Sequence, residues 1–293
     1  MLCFLVCYDI LVKVSAFGGT DLERENVLIP QADLDRQREF EEKIRGLFAA
    51  REAHPAACVD TFGCQQNVAD GQKLMGMLEA SGFTLTQDPK EADLVLLNTC
   101  AIREHAEDRV FGNLGALTHT KKENPEQVIC LCGCMAQEAH VAEKIKQSFR
   151  HVDLVFGPHA LWRFPEFIHT LLTQRGRCSR WRRRRAPSPR ASRWCGRDRV
   201  KAWVSIMYGC NNFCSYCIIP YARGGALPLP PRTPGGSWSG YWRRGIGRSS
   251  SPALEISSWG QDLPGEQTLI DLLETVCRDL PGEVRIRLGS LEP

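Results

Sequence analysis

The order of apolar and amphipathic segments between residues 56 and 174 constrains the fold more than any other feature of the sequence. The run DLVLLN at 93–98 is typical of a parallel strand that is buried on both faces. Further apolar runs at 57–62, 127–132 and 152–156 alternate with segments of helical character at 72–81, 104–117, 137–149 and 161–172. This alternation predicts an α/β domain built on a parallel sheet.

Cysteine usage indicates the compartment and the kind of chemistry. The chain has 293 residues, 14 of them cysteine, and its 43% hydrophobic content is that of an ordinary globular protein. No apolar run reaches the roughly 18 residues of a membrane span. The apolar start of the chain contains Asp9 and has no preceding positive charge, so we expect neither a signal peptide nor a membrane partner. We therefore expect a cytoplasmic protein, in which clustered cysteines point to metal or redox chemistry rather than to disulfides.

Two segments differ from the sequence around them. Residues 175–199 hold eleven arginines and one acidic residue, and removing this segment changes the net charge of the chain from +3 to −7. In residues 224–252, 17 of 29 residues are Gly, Pro or Ser, and we expect no regular β–α unit there. Three interpretations remain open for these segments: disordered linkers, an arginine-rich RNA-binding arm, or wrong-frame translation of a GC-rich gene.

The densest cysteine motif lies in the second half of the chain. Cys210, Cys214 and Cys217 follow an apolar strand predicted at 202–207 and a turn at Gly209. Three thiolates on one loop can bind three irons of a 4Fe–4S cube and leave the fourth iron open to S-adenosylmethionine. A zinc site prefers four protein ligands, and no fourth cysteine or histidine is close in sequence. The spacing favours a radical-SAM cluster over a zinc knuckle or inert cysteines.

A second set of cysteines is distributed over the α/β domain. Cys64, Cys100 and Cys134 each lie between the end of a predicted strand and the next helix. Because the carboxyl ends of parallel strands meet at one sheet edge, we expect these three thiols to converge on a second, auxiliary 4Fe–4S cluster. The alternative is that they are buried cysteines that pack as small apolar side chains. Cys132 is the substitute candidate for Cys134, since both face the same side of a strand.

The residues around these cysteines resemble those of the radical-SAM methylthiotransferase family. The resemblance rests on TFGCQQN, NTCAIRE, CGCMAQ and YGCNNFCSYCIIPYARG, and the last motif is similar to that of the MiaB-type branch, which acts on tRNA. It covers about residues 57–173 and 200–223, and weakly 253–293. Relatives that act on threonylcarbamoyladenosine in tRNA, or on a ribosomal protein, carry different residues between these cysteines.

The resemblance implies a fold, a reaction and partners. The expected fold is an N-terminal α/β methylthiotransferase domain followed by a partial radical-SAM (βα) barrel, with the family's C-terminal RNA-binding TRAM domain absent. The implied reaction adds a methylthio group to C2 of N6-isopentenyladenosine at position 37 of tRNA, next to the anticodon. Implied cofactors are two 4Fe–4S clusters and S-adenosylmethionine. Implied partners are the tRNA anticodon stem-loop and a small electron-donor protein of the flavodoxin or ferredoxin type.

These observations divide the chain into four predicted parts. They are a leader with one amphipathic helix (1–55), the methylthiotransferase α/β domain (56–174), the arginine-rich segment (175–199) and an incomplete radical-SAM core (200–293) that is disrupted at 224–252. We expect this chain to be a truncated, frameshifted copy with little activity on tRNA. Two alternatives stay open: a methylthiotransferase for another substrate, and an inactive iron–sulfur or RNA-binding fragment.

Overall fold

The structure is a computed structural model that describes most of the α/β domain and parts of the rest. The described residues are 29–101, 104–174, 178–180, 201–215, 217–225, 227–228, 248–250, 256, 258–261, 263, 265, 267–279 and 285–288. The beginning of the predicted leader, most of the arginine-rich segment and most of residues 224–252 lie outside these ranges. Within them, no helix is long and apolar enough to cross a membrane.

A six-stranded parallel sheet organises the first half of the chain, with strand order β2-β1-β3-β4-β5-β6. The strands are β1 (Ala56–Thr61), β2 (Thr84–Thr86), β3 (Leu94–Thr99), β4 (Val128–Gly133), β5 (Leu154–Phe156) and β6 (Cys178–Arg180). The helices are α1 (Gln31–Ala50), α2 (Gln65–Ala80), α3 (Glu104–Glu123), α4 (Ala139–Ser148) and α5 (Phe164–Gln174), with 3₁₀ turns at Met135–Gln137 and Pro158–Arg163. The predicted α/β fold with a parallel sheet is confirmed.

Each face of the sheet is covered by its own helices, because side chains alternate along a buried strand. On β3, Leu94 and Leu96 pack in one apolar cluster with residues of α1, α2 and α5. Val95 and Leu97 pack in the other cluster with residues of α3 and α4. Every residue of β3 is buried, which explains why its sequence is continuously apolar.

The structure differs from the predicted elements at several places in this domain, including β6 (Cys178–Arg180), which pairs with β5 although it lies in the predicted arginine-rich segment. Strand β2 is absent from the prediction because it is only three residues long and lies at the edge of the sheet, where TLT gives no apolar pattern. Helix α2 begins at Gln65, seven residues before the predicted start at 72, and its first turns are polar but buried. In the predicted leader, α1 packs on the sheet domain through Ile44 and Phe48, so this helix is part of the domain core.

The second half contains short elements around a separate small core. They are β7 (Lys201–Trp203), β8 (Met207–Tyr208), α6 (Ile219–Arg223), β9 (Leu227–Pro228), β10 (Arg248–Ser250), α7 (Leu269–Asp279) and β11 (Arg285–Arg287). The strands β11, β10 and β7 form a parallel sheet, whereas β8 and β9 pair antiparallel. Trp259 is buried in the core of this part and its indole N–H donates to the carbonyl of Ile206 at 3.1 Å.

One prediction about this half needs correction. The single strand expected at 202–207 is two short strands, because residues 204–206 leave the sheet pairing while Val204 and Ile206 pack into the core. Residues 224–252, for which we expect no regular β–α unit, nevertheless supply the short strands β9 and β10, and β10 is the central strand of the parallel sheet. The parallel arrangement agrees with the predicted partial barrel, which itself stays a prediction.

Candidate metal centre

The strand order places the three distributed cysteines beside a topological switch point. From β1 the chain first adds β2 on one side, and then continues through β3, β4 and β5 on the other. Open α/β folds bind ligands outside the carboxyl ends of the strands at such a reversal. Cys64 follows β1, Cys100 follows β3 and Cys134 follows β4, and these three strands are neighbours in the sheet.

The three thiols converge as the sequence predicts. The sulfur atoms of Cys64 and Cys134 each lie 3.8 Å from Oδ1 of Asn67, so the two sulfurs are at most twice that distance apart. The thiols of Cys64 and Cys100 are hydrogen bonded to each other. Cys100 and Cys134 are buried, and Cys64 is partly exposed. Cys64 thus lies close to both Cys100 and Cys134, within the roughly 10 Å that separates the ligands of one small cluster.

Glycines allow the loops to bring the cysteines together. Gly63 has φ +107°, and a β-carbon at this position would lie 2.1 Å from Cβ of Cys100. Gly133 has φ +97°, and a β-carbon there would lie 2.1 Å from the carbonyl oxygen of Thr99. Both positions exclude any side chain, because the left-handed backbone and the close neighbour each disfavour a β-carbon.

Hydrogen bonds between the loops fix the cysteine-bearing turns. The side-chain amide of Asn98 donates to the carbonyl of Asn67 at 2.7 Å, and the amide of Asn67 donates to the carbonyl of Phe62 at 3.1 Å. The backbone N–H of Cys134 donates to the carbonyl of Thr99 at 2.9 Å. These bonds join the ends of β1, β3 and β4 into one rigid edge.

A buried arginine from the second half of the chain completes this edge. The guanidinium of Arg223, on α6, donates to Sγ of Cys134 at 3.0 Å, to Oδ2 of Asp70 at 2.8 Å and to Oδ1 of Asn67 at 2.6 Å. The side chains of Arg223 and Asp70 are 2% and 3% exposed. A buried guanidinium needs such partners, since an unpaired charge in the interior is costly.

The surroundings of Cys64 and Cys134 favour the protonated thiol over the thiolate. The hydrogen bond with Cys100, together with burial, raises the pKa of Cys64. Burial raises the pKa of Cys134, although the neighbouring Arg223 opposes part of this effect. Because a metal binds the thiolate, occupation of the site must release these protons.

The second triad lies on the loop before α6. Gly209, with φ +70°, begins the loop, and the N–H of Cys210 donates to the carbonyl of Gly224 at 3.3 Å. The N–H of Cys217 donates to the carbonyl of Cys214 at 2.9 Å, which closes a turn between these two cysteines. Cys210 is buried, whereas Cys214 and Cys217 are partly exposed, so one side of the loop is accessible. Tyr216, which precedes Cys217 in the motif, lies outside the described residues.

Sequence comparison identifies a matching family model and several relatives of this chain. Residues 56–157 match the model of a family described as uncharacterized protein family UPF0004. Over 278 residues the chain is 36% identical to a tRNA-2-methylthio-N(6)-dimethylallyladenosine synthase of Acetivibrio thermocellus. The aligned region covers 92% of this chain and 57% of the relative. The chain is homologous to these synthases. It spans 57% of the length of that relative.

Two further relatives carry the same name. The synthase of Clostridium perfringens is 44% identical over 167 residues, which are 57% of this chain and 37% of the relative. The synthase of Clostridioides difficile is 34% identical over 278 residues, which are 92% of this chain and 57% of the relative. The resemblance to methylthiotransferases inferred from the cysteine motifs is thus confirmed.

The donor set at the sheet edge fits an iron–sulfur cluster better than a single ion. Within the described ranges, no group of three or more His, Cys, Asp or Glu side chains is arranged to hold one metal ion. A 4Fe–4S cube needs a wider arrangement of cysteines than a single ion. Each cysteine binds a different iron, so the cysteine sulfurs lie farther from one another than they do around one ion. Three thiolates around a cube also leave a negative charge, which the buried cation of Arg223 can offset.

The remaining cysteines of β4 belong to the core. Cys130 and Cys132 are both buried in the apolar cluster that α2 covers. Cys134 leaves their alternation because the turn at Gly133 intervenes. Cys132 nevertheless lies near the site. Burial raises the pKa of its thiol, and the nearby negative charges of Asp70 and Cys134 raise it further.

Three polar residues of the site are missing from the sequence-based prediction. Asn67 and Arg223 lie inside the motifs TFGCQQN and PYARG, but neither has a cysteine's evident chemistry, and Asp70 lies just outside the first motif. Their sequence gives no usable signal, because the first turns of α2 read as solvated, and only the structure shows that polar side chains are buried there. Such residues indicate an interface rather than a solvated face.

Proposed function

We propose that this chain carries both cluster sites of a radical-SAM methylthiotransferase that modifies N6-isopentenyladenosine in tRNA. Cys64, Cys100 and Cys134 would hold an auxiliary 4Fe–4S cluster. The loop cysteines would hold the cluster that binds S-adenosylmethionine; they are Cys210, Cys214 and Cys217. The proposed substrate follows from the names of the relatives, which are tRNA-2-methylthio-N(6)-dimethylallyladenosine synthases.

One observation carries the proposal. Three thiols from three different strand ends meet at one edge of the sheet, and the arginine that contacts one of them comes from the helix after the second cysteine motif. Core packing alone does not require cysteine at three strand ends, and it does not require a buried cation beside them. A cluster site explains both features together.

The two cysteine triads would have different roles in the proposed reaction. When bound, the two clusters supply reductive cleavage of S-adenosylmethionine and a site for sulfur delivery. The auxiliary cysteines hold their cluster at the end of the sheet, and the burial of Cys100 and Cys134 keeps water from that side. Cys64 lies at the N-terminal end of helix α2, whose positive end would partly offset the negative charge of a thiolate bound to the cluster. The accessible side of the 210–217 loop leaves room for the nucleoside.

The proposed reaction needs partners outside the chain. It consumes S-adenosylmethionine both as methyl donor and as source of the radical, and it consumes one sulfide-level sulfur atom that would be delivered at the auxiliary cluster. It also needs an electron for the cleavage of S-adenosylmethionine, from a small donor protein of the flavodoxin or ferredoxin type. Its macromolecular partner is the anticodon stem-loop of tRNA. These requirements place the proposed activity in the cytoplasm, where thiols stay reduced.

Anaerobic reconstitution with iron and sulfide tests the two-cluster arrangement. We expect the full chain to bind about eight irons. We expect about four irons after Cys64, Cys100 and Cys134 are changed to Ala, and about four when the other triad is changed instead. A control triple variant, Cys58→Ala, Cys130→Ala and Cys277→Ala, removes as many thiols without touching either triad and should still bind about eight. Loss of all iron from either triad variant would contradict two independent sites.

Product analysis tests the reaction and separates the alternatives. Reconstituted protein with S-adenosylmethionine and a reductant should form deoxyadenosine, and only when the 210–217 triad is intact. A binding fragment would form none. Methylthiolation of isopentenylated tRNA, compared with threonylcarbamoylated tRNA and ribosomal protein, then identifies the substrate. Because residues 175–199 and 224–252 depart from the family pattern, a chain that carries the relatives' sequence at these segments is the reference, and we expect it to be the more active.

A further inference from the structure

The guanidinium of Arg223 is a buried charged group that contacts the auxiliary site but is not one of the proposed cluster ligands. Its side chain is 2% exposed, and all three of its described hydrogen bonds go to the first half of the chain. Arg223 is the last residue of α6 and the sixth residue after Cys217. The same short segment therefore carries the end of one cysteine motif and a direct contact with the other.

The pairing of Arg223 is specific in geometry as well as in charge. Nη1 bonds Oδ2 of Asp70 and Nη2 bonds Oδ1 of Asn67, while Nε is directed to Sγ of Cys134. The second oxygen of Asp70 is contacted by Gln66 and Lys73. The planar guanidinium fork of Arg223 donates to all three acceptors at hydrogen-bond distance. A lysine, with a single ammonium group, cannot reproduce this arrangement.

Neighbouring contacts strengthen the same attachment. Lys73 donates to the hydroxyl of Tyr208, and the amide of Gln66 donates to Oγ of Ser205 at 3.2 Å. Both partners lie on the segment that leads into the cysteine loop. The loop is thus fixed to α2 before Cys210 and after Cys217.

We propose that Arg223 is a positioning residue that attaches the S-adenosylmethionine loop to the auxiliary centre and tunes that centre through Sγ of Cys134. The inference rests on the proposed function, because it assigns Cys134 as a cluster ligand. A cation that donates a hydrogen bond to a ligand sulfur stabilises the more negative, reduced cluster. Removal of Arg223 should therefore make the reduction potential of the auxiliary cluster more negative.

The test uses the full chain with Cys210, Cys214 and Cys217 changed to Ala, so that only the auxiliary cysteines bind a cluster. Arg223→Met removes the charge and the donors, and Arg223→Lys keeps the charge but loses the fork. Because Arg223→Met leaves Asp70 buried without this partner, the double variant Arg223→Met, Asp70→Asn removes both charges and guards against misfolding. Arg278→Met, at an exposed position of α7, is the matched control.

Three readouts separate the possible outcomes: iron content, the reduction potential of the auxiliary cluster, and hydrogen exchange of peptides that span 208–225 in the iron-free protein. We expect iron to load in all variants, and a negative shift of the potential in Arg223→Met and in the double variant. Arg223→Lys should give an intermediate potential. Exchange in the 208–225 peptides should be roughly tenfold faster in Arg223→Met than in the control.

Failure of the proposed function and failure of this inference give different results. If the auxiliary cysteines bind no iron even with Arg223 present, the proposed function fails and the tuning role falls with it. If iron loads but neither the potential nor the exchange rate differs between Arg223→Met and Arg278→Met, the inference alone is overturned. An unchanged potential with faster exchange would also overturn tuning, since it means that the bound cluster displaces Arg223 from Cys134.

Discussion

His159 lies where α6 approaches the 3₁₀ turn Pro158–Arg163, and its titration should report this contact. Burial, together with the nearby charge of Arg223, lowers the pKa of His159 from 6.5 to about 4. Its ring also lies against Gly224, since a β-carbon at that glycine would be 3.5 Å from Cε1. The imidazole is therefore neutral in the folded protein near pH 7.

The sign of the pH effect follows from proton binding. Between pH 6.5 and about 4 the unfolded chain binds a proton at His159 that the folded protein does not, so folding stability falls as the pH falls through this window. Below about pH 4 the loss is complete. Each unit of pKa shift corresponds to about 1.36 kcal/mol, so the full effect is about 3 kcal/mol. His159 is partly exposed, and solvent reduces the size of the effect. We therefore expect the folding stability to be about 1 kcal/mol lower at pH 5 than at pH 7 because of His159.

Urea unfolding of iron-free protein at pH 7.5, 6.0 and 5.0 measures the effect. His159→Gln cannot titrate, so its free energy of unfolding should fall less with decreasing pH than that of the wild type, by about 1 kcal/mol at pH 5. The pKa of His169 is also lowered by burial, but it contributes equally to both proteins and cancels in the comparison. His119→Gln, at an exposed position of α3, makes the same substitution away from the contact. Equal pH dependence in wild type and His159→Gln would refute the assigned burial and the docking of α6 on this turn.

Two further substitutions test the local geometry. Gly63→Ala would place a methyl group 2.1 Å from Cβ of Cys100, on a backbone with φ +107°, so we expect iron uptake to fall by about half while the 210–217 triad still loads. Gly112→Ala adds a methyl group in open space on α3, and we expect it to raise the free energy of unfolding by roughly 0.5–1 kcal/mol in urea titrations, with iron content unchanged.

The sequence is most informative where burial is complete. Strand β3 and the three cysteines at the strand ends could be predicted because a fully buried strand must be apolar and because parallel strands end at a common edge. The missed strand β2 is paired on one side only, so its composition is under weaker constraint. The prediction of convergence needed no knowledge of β2, because Cys64, Cys100 and Cys134 follow three adjacent strands whether or not β2 is counted.

The polar part of the site could not be predicted by the same reasoning. Residues 65–71 form the first turns of α2 and read as solvated sequence, yet Gln66, Asn67 and Asp70 are 2%, 0% and 2% exposed. Their partners Ser205 and Arg223 are more than 130 residues away in the chain, and hydrophobic periodicity carries no information about such pairs. A buried polar interface is specified by hydrogen-bond geometry, which becomes visible only in three dimensions.

Helix α2 contacts the sheet domain on one face and the segment that carries Arg223 on the other. Its N-terminal residue is preceded by Cys64, its apolar face packs Leu74 and Leu78 into the sheet domain, and its polar face holds Asp70 against Arg223. A rigid helix transmits a displacement along its length, because its backbone hydrogen bonds resist local deformation. A movement of the 210–217 loop would therefore act directly on the turn that carries Cys64, with only one helix between the two cysteine triads. Within the described residues, the contacts of α2 with Ser205, Tyr208 and Arg223 join the segment around the second cysteine motif to the helix that begins after Cys64.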